Sequence, residues 1–117
     1  MINELPDLTY HEFFLWILRR RKRFCVTGTS MQPLLQPGEE ILINSHAYKK
    51  DLPQINDLVV AIHPHRKNLE IVKRIHHITE DGTFFLLGDN LSHSTDSRNF
   101  GTIPLKNILG KVISRFG

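Results

Sequence analysis

Cysteine is nearly absent. Cys25 is the only one in 117 residues, so no intramolecular disulfide can form and nothing asks for an oxidising compartment; a cytoplasmic location is the expectation. Long hydrophobic runs are missing too. The run Phe13-Phe14-Leu15-Trp16-Ile17-Leu18 holds six residues against roughly 20 for a bilayer span, so no transmembrane anchor is expected. A secretory signal is also excluded, because the basic cluster follows this apolar stretch instead of preceding it and no small-residue cleavage site comes next. Acidic residues are slightly outnumbered, giving a net charge of +3, and the excess sits in Arg19-Arg20-Arg21-Lys22-Arg23. Such a run reads as a solvated face, with a peripheral membrane contact or an acidic partner as the alternative. A nucleic-acid surface would interleave basic and aromatic residues along strands, and this pattern is lacking, so no nucleic-acid partner is expected.

What is present describes an ordinary globular chain, 40% apolar and 23% charged, of a length that suits one compact domain over residues 1–117. Thr9 and Glu12 form a capping-box pattern, predicting a helix over about 10–21 that docks its apolar side chains on its own domain. Residues 1–23 thus carry a helix and a basic run. From residue 24 the text changes to short apolar runs divided by Pro, Gly, Asn and Asp, the punctuation of a mainly β domain over 24–117. Strands are predicted at 24–27, 40–45, 58–62, 69–78, 83–87 and 108–115. The segment 88–101 is too polar for a core strand and too long for a tight turn, and long structureless loops in compact domains are often functional.

A serine hydroxyl becomes a nucleophile when a nearby base removes its proton, and a neutral lysine can be that base. Free lysine has a pKa near ~10.4, so it must be desolvated first. Strand alternation puts Leu69, Ile71, Lys73, Ile75 and His77 on one face and Glu70, Val72, Arg74 and His76 on the other. Lys73 therefore lies among apolar neighbours, either as a desolvated base or as a lysine that snorkels to water. In Val26-Thr27-Gly28-Thr29-Ser30-Met31-Gln32-Pro33 a glycine and a proline bracket a serine just beyond a strand. That setting suits an exposed nucleophile with backbone N–H groups nearby, or an ordinary polar turn.

Three segments carry a family resemblance. Gly28-Thr29-Ser30-Met31-Gln32-Pro33 resembles the Gly-x-Ser-Met-x-Pro nucleophile motif of the signal peptidase I-like superfamily, which includes the repressor-type self-cleaving peptidases. Val72-Lys73-Arg74-Ile75 resembles their lysine motif. Gly88-Asp89-Asn90, followed by Ser94, Asp96-Ser97-Arg98 and Gly101, resembles the last box of the signal peptidase branch. Three motifs in order, from Val26 to Val112, are far more specific than one. The resemblance implies a coiled β-barrel of antiparallel strands with one N-terminal helix, and a serine endopeptidase using a Ser–Lys dyad. Ser30 is then the nucleophile and Lys73 its general base, with Ser94 orienting the lysine. Asp96 with Arg98, and Asp89 with Arg74, become supporting ion pairs. The family's oxyanion serine is replaced by Gly28, which leaves the backbone N–H of Ser30 as the principal oxyanion donor. Substrate would lie as an extended strand in a groove shaped by Met31 and Pro33.

The chain departs from the membrane-anchored members. No anchor of their kind is expected, Glu39 follows Gly38 where aspartate is usual, Leu34 stands where threonine is common, and only fourteen residues separate Lys73 from Gly88. In length and in its compact last box it resembles the small anchorless maturation proteases of nickel-type superoxide dismutase, which implies the precursor of that enzyme, with its N-terminal leader, as substrate and partner. Alternatives are processing of another leader, self-cleavage, or a non-catalytic peptide-binding module. No cofactor is implied. His63, His65, His76 and His77 fall in pairs without a third or fourth ligand at a recognised spacing, so no metal site is expected.

Overall fold

The computed structural model describes residues 5–17 and 21–116. Helix α1, Tyr10–Ile17, opens where Thr9 Oγ1 accepts the Glu12 N–H at 3.2 Å. The predicted extension to residue 21 is corrected in part: positions 18–20 lie outside the described residues, Arg21 is a bend, and Lys22 already belongs to a strand. Long-range contacts override helix continuation here. Arg21 Nε reaches Glu12 Oε1 at 2.8 Å, while Arg23 pairs with Glu40 and places its guanidinium 4.2 Å from the Phe116 ring centroid. Arg21 is thus held largely against the domain, whereas Lys22 and Arg23 stay exposed, Arg23 while paired. The helix docks through Trp16, edge-on to Phe116 at 4.7 Å, and leaves Tyr10 93% exposed. Among the described residues no helix is long and apolar enough to cross a membrane.

Six strands follow: β1 Lys22–Cys25, β2 Glu40–Asn44, β3 Leu58–Ile62, β4 Glu70–Ile78, β5 Phe84–Leu87 and β6 Ile108–Arg115. Every neighbouring pair is antiparallel, in the order β1-β2-β6-β3-β4-β5, and the sheet curls into a half-barrel. Strand β3 reads Leu-Val-Val-Ala-Ile because both its faces are covered. Leu58 and Val60 join Ile41, Ile43, Val72 and Val112 in one core, while Val59 and Ala61 join Ile75, Phe84, Leu86 and Ile103 in a second. Lys73, paired with Val59, leaves the sheet on the second face; Arg74, paired with Leu58, leaves it on the first.

Two local expectations change. Alternation along β4 breaks at an irregularity between Ile75 and His77, and His76 and His77 are both exposed. The segment 88–101 is not structureless. It holds a 3₁₀ turn, Leu91–His93, and a one-turn helix α2, Ser97–Phe100. Asp96 and Asn99 close a reciprocal capping box on α2, so the local sequence Asp-Ser-Arg-Asn specifies the turn.

Candidate active site

Ser30 sits on a turn that leaves the core after Val26 and returns through Met31 and Leu35. Gly28, at φ +75°, makes the left-handed bend. The turn is seated against the 88–101 segment: the Asn90 N–H donates to the Ser30 carbonyl at 2.8 Å, and Asn90 Nδ2 donates to the Thr29 carbonyl at 3.1 Å. Among the described residues no acceptor takes the Ser30 N–H.

Lys73 reaches the turn from the middle of β4. Its side chain is buried, the residue being 5% exposed, and Nζ stands 2.7 Å from Ser30 Oγ and 3.4 Å from Ser94 Oγ. Burial pushes the ammonium pKa below the ordinary lysine value; the Asp96 carboxylate pulls it back and the Arg98 guanidinium pushes it further down. Ser94 gives its hydroxyl hydrogen to Asp96 Oδ2 at 2.8 Å, so its oxygen is left to accept from Lys73. One hydrogen bond thus fixes the rotor of the next. Asp96 is fully buried and also accepts from the Gly88 N–H at 3.0 Å and from Arg98 Nε at 2.9 Å. Burial raises its pKa, but the Arg98, Gly88 and Ser94 hydrogen bonds outweigh this and hold the carboxyl at about 2.

The second pair lies on the other side of β4. Asp89 takes Arg74 in a two-point grip, at 2.9 Å from Nε and 3.0 Å from Nη2, and Arg74 Nη1 donates to the Asn56 carbonyl at 3.0 Å. The structure therefore brings Ser30, Lys73, Ser94, Asp96 and Arg98 into one chain of contacts. Arg74 and Asp89 join it through the backbone, since Asp89 lies between Gly88 and Asn90.

Met31 does not line an open groove. It is 1% exposed, packed in the first core, with its sulfur 3.4 Å from the Asp89 backbone nitrogen. The turn needs one apolar side chain pointing inward as its anchor, and Met31 is that residue. Pro33 is exposed, away from the cleft that holds the two central residues. That cleft is bordered by Phe24 and Thr27 on one side and by residues 69–73 on the other.

Sequence reasoning gave no specific role to Gly88, Asn90, Ser97 or Asn56. A Cβ on Gly88 would lie 2.2 Å from Ser94 Oγ and 2.6 Å from the Ser30 carbonyl oxygen, so only glycine lets the two segments meet. Ser97 Oγ accepts the Leu86 N–H at 2.8 Å and ties α2 to β5. Asn56 adopts φ +77° and presents its carbonyl to Arg74. Asn56-Asp57 has the composition of a turn, which was a usable signal; the backbone contacts of Gly88 and Asn90 leave no local trace. His63 and His65 pack beside Phe100, and His77 stacks on Phe85. Among the described residues no group of three or more His, Cys, Asp or Glu side chains is placed to hold a metal ion.

Comparison with known proteins shows the class of this chain, a serine peptidase, a hydrolase of peptide bonds. More narrowly, a model of the family described as signal peptidase, peptidase S26 matches residues 13–78 and 75–116, and the chain belongs to that family. It is 32% identical over 108 positions to mitochondrial inner membrane protease subunit 1 of Schizosaccharomyces pombe, covering 76% of this chain and 69% of the relative. It is 30% identical over 136 positions to signal peptidase I V of Bacillus subtilis, covering 74% and 80%. A probable signal peptidase I-1 of Synechocystis is 30% identical over 80 positions, with 68% of this chain and 38% of the relative covered.

Proposed function

We propose that the chain is an endopeptidase that removes an N-terminal leader from a precursor protein, with Ser30 as nucleophile and Lys73 as general base. The observation that carries this reading is the 2.7 Å contact between Lys73 Nζ and Ser30 Oγ at a lysine whose burial disfavours its charge. In the neutral amine, Nζ accepts the Ser30 hydroxyl proton while Oγ bonds to the scissile carbonyl carbon. The oxyanion is met by the Ser30 N–H. Lys73, now an ammonium held by Ser94, donates that proton to the leaving amine as the C–N bond breaks. The leader remains as an ester on Ser30 Oγ. Lys73 then takes a proton from a water molecule whose oxygen bonds to the ester carbon, and gives that proton to Ser30 Oγ as the ester C–O bond breaks. Asp96 and Arg98 act at one remove by fixing Ser94, and Arg74 with Asp89 hold the segment on which the Ser30 turn rests.

For the substrate we propose the precursor of nickel-type superoxide dismutase. The support is the chain's resemblance to the small maturation proteases of that enzyme in the Ser30 motif and in the compact last box. The lone Cys25 supports action in the cytoplasm. The test is to mix the protein with that precursor and follow its N-terminal mass beside Ser30→Ala and Lys73→Ala. Loss of a defined leader with the native chain alone supports both parts. If a different leader peptide is cut and the precursor is not, the dyad stands and the named substrate falls; if nothing is cut, the reading gives way to a peptide-binding module.

A further inference from the structure

Asn90 opens the 3₁₀ turn Leu91–His93, a position where an asparagine side chain ordinarily accepts a backbone N–H of the turn it starts. Here it makes no such cap. Its Nδ2 instead reaches back 61 residues and donates to the Thr29 carbonyl at 3.1 Å. A carbonyl only accepts, so the donor end of the amide is the end that faces it. The Thr29 oxygen also takes the Gln32 N–H at 3.1 Å and so has a donor for each lone pair. The backbone N–H of Asn90 holds the next carbonyl, that of Ser30, at 2.8 Å. Both peptide planes that meet at Ser30 are thus tied to one residue of the last segment.

We propose that Asn90 is a positioning residue for the oxyanion: its side chain sets the plane of the Thr29–Ser30 peptide and strengthens the N–H of that peptide as a donor. The proposal rests on the reading of Ser30 and Lys73 as the reacting pair. The Thr29 carbonyl and the Ser30 N–H are the two ends of one planar trans amide, so holding the oxygen aims the hydrogen. A donor on the oxygen also draws electrons from the nitrogen and polarises the N–H. No acceptor among the described residues takes the Ser30 N–H, which leaves it for a developing oxyanion. This peptide needs outside support. Thr29 is exposed, and Gly28 before it stands at φ +75° with nothing within 4 Å of where a Cβ would lie, so packing does not wedge the turn there. Gly28 also brings no hydroxyl to share the oxyanion. The Lys73 amine, by contrast, is held by Ser30 and Ser94 and not by Asn90. The base and the oxyanion donor are therefore supported separately, although Asn90 and Ser94 lie on one segment.

The test follows acetylation of Ser30 by p-nitrophenyl acetate, read as nitrophenolate release and protein mass across pH, in the native chain, Ser30→Ala, Asn90→Ala and Asn90→Asp. The native chain is expected to react faster than Ser30→Ala, and Asn90→Ala about tenfold more slowly than the native chain with the midpoint of its pH profile unmoved. Asn90→Asp is expected to be slower still: aspartate caps a helical turn as well as asparagine, but it sets an oxygen against the Thr29 oxygen. In ¹⁵N-labelled protein the Ser30 amide resonance is expected to move upfield in Asn90→Ala, because the Thr29 carbonyl loses one of its donors. Acetylation of Asn90→Ala or Asn90→Asp at the native rate overturns the role of Asn90 and leaves the dyad intact. A slower rate with a displaced pH midpoint means that the Lys73 contact itself has shifted, and overturns it too. A Ser30 resonance that stays in place overturns it whatever the rates. A native chain that reacts no faster than Ser30→Ala removes the reacting pair, and the use of Asn90 in catalysis falls with it.

Discussion

Lys73 and Arg74 are consecutive on β4, leave the sheet on opposite faces, and meet opposite treatment. Arg74 is matched inside the protein by both oxygens of Asp89 and by a backbone carbonyl. Lys73 is met by two hydroxyls; the carboxylate on its side, Asp96, stands behind Ser94 and is shared with Arg98. An arginine keeps its proton under any such conditions, so pairing it costs nothing in reactivity and secures the fold. A lysine that is buried and denied a direct carboxylate is pushed toward the neutral amine that a base must be. On the proposed reading of Ser30 and Lys73, the chemistry of this sheet comes from a counter-ion withheld on one face and supplied on the other.

The largest effect should come from removing the reactive face. Ser30→Ala and Lys73→Ala are each expected to lower kcat about 10⁴-fold or more in a leader-peptide assay, without additivity when combined. Lys73→Met should meanwhile keep or raise Tm. The folded-state pKa of Lys73 is lowered, so the unfolded chain binds more protons between that value and the ordinary one. Stability from this position therefore rises with pH through that window, and the neutral side chain removes the penalty below it.

On the paired face the loss should appear in stability instead. Asp89→Ala strands a mostly buried guanidinium and is expected to cost about 3 kcal/mol in denaturant unfolding, whereas Arg74→Met with Asp89→Leu should recover most of it. Next in size, Gly88→Ala forces the last segment off Ser30 and Ser94 and should lower kcat about 10²-fold with less effect on KM. A smaller and more pointed change is Arg98→Ala. Activity falls as pH drops through the pKa of Lys73, and loss of the Arg98 cation raises that pKa, so the acid limb of kcat/KM should move to higher pH. In the native chain Asp96 stays ionised, its pKa being held at about 2, and the stability it lends is present above the ordinary carboxylate value and lost as pH falls through about 2; Arg98→Ala removes the largest of the contacts that hold it there. The smallest effect is away from both faces: Ser114 Oγ is buried without a hydrogen-bond partner among the described residues, and Ser114→Ala should be neutral or stabilising by up to about 1 kcal/mol.

The strands were legible because period-two alternation and Pro, Gly and Asn punctuation act locally. The expected spans 58–62 and 108–115 coincide with β3 and β6, and 40–45 ends one residue beyond β2. The start of β1 was not legible, because Arg23 is drawn into a strand by Glu40 and by Phe116, far along the chain. Lys73 was readable as a lysine on an apolar face and Ser30 as a serine on a glycine-bracketed turn. Ser94 was named only through the family resemblance; that it stands between Lys73 and Asp96, and why Gly88 must be glycine, depend on two segments meeting through backbone atoms that every residue shares. Met31 was misread as a groove residue since a turn's sequence does not say which of its side chains points into the core.

The most direct measurement of the withheld counter-ion is the titration of Lys73 itself, followed by NMR of ¹³Cε-labelled lysine and assigned through Lys73→Arg. Lys73 is expected to lose its proton below the ordinary lysine value, and Ser94→Asp, which supplies the missing carboxylate, to return it upward while abolishing cleavage. A Lys73 that titrates near the free-lysine value of ~10.4 would contradict the withheld counter-ion.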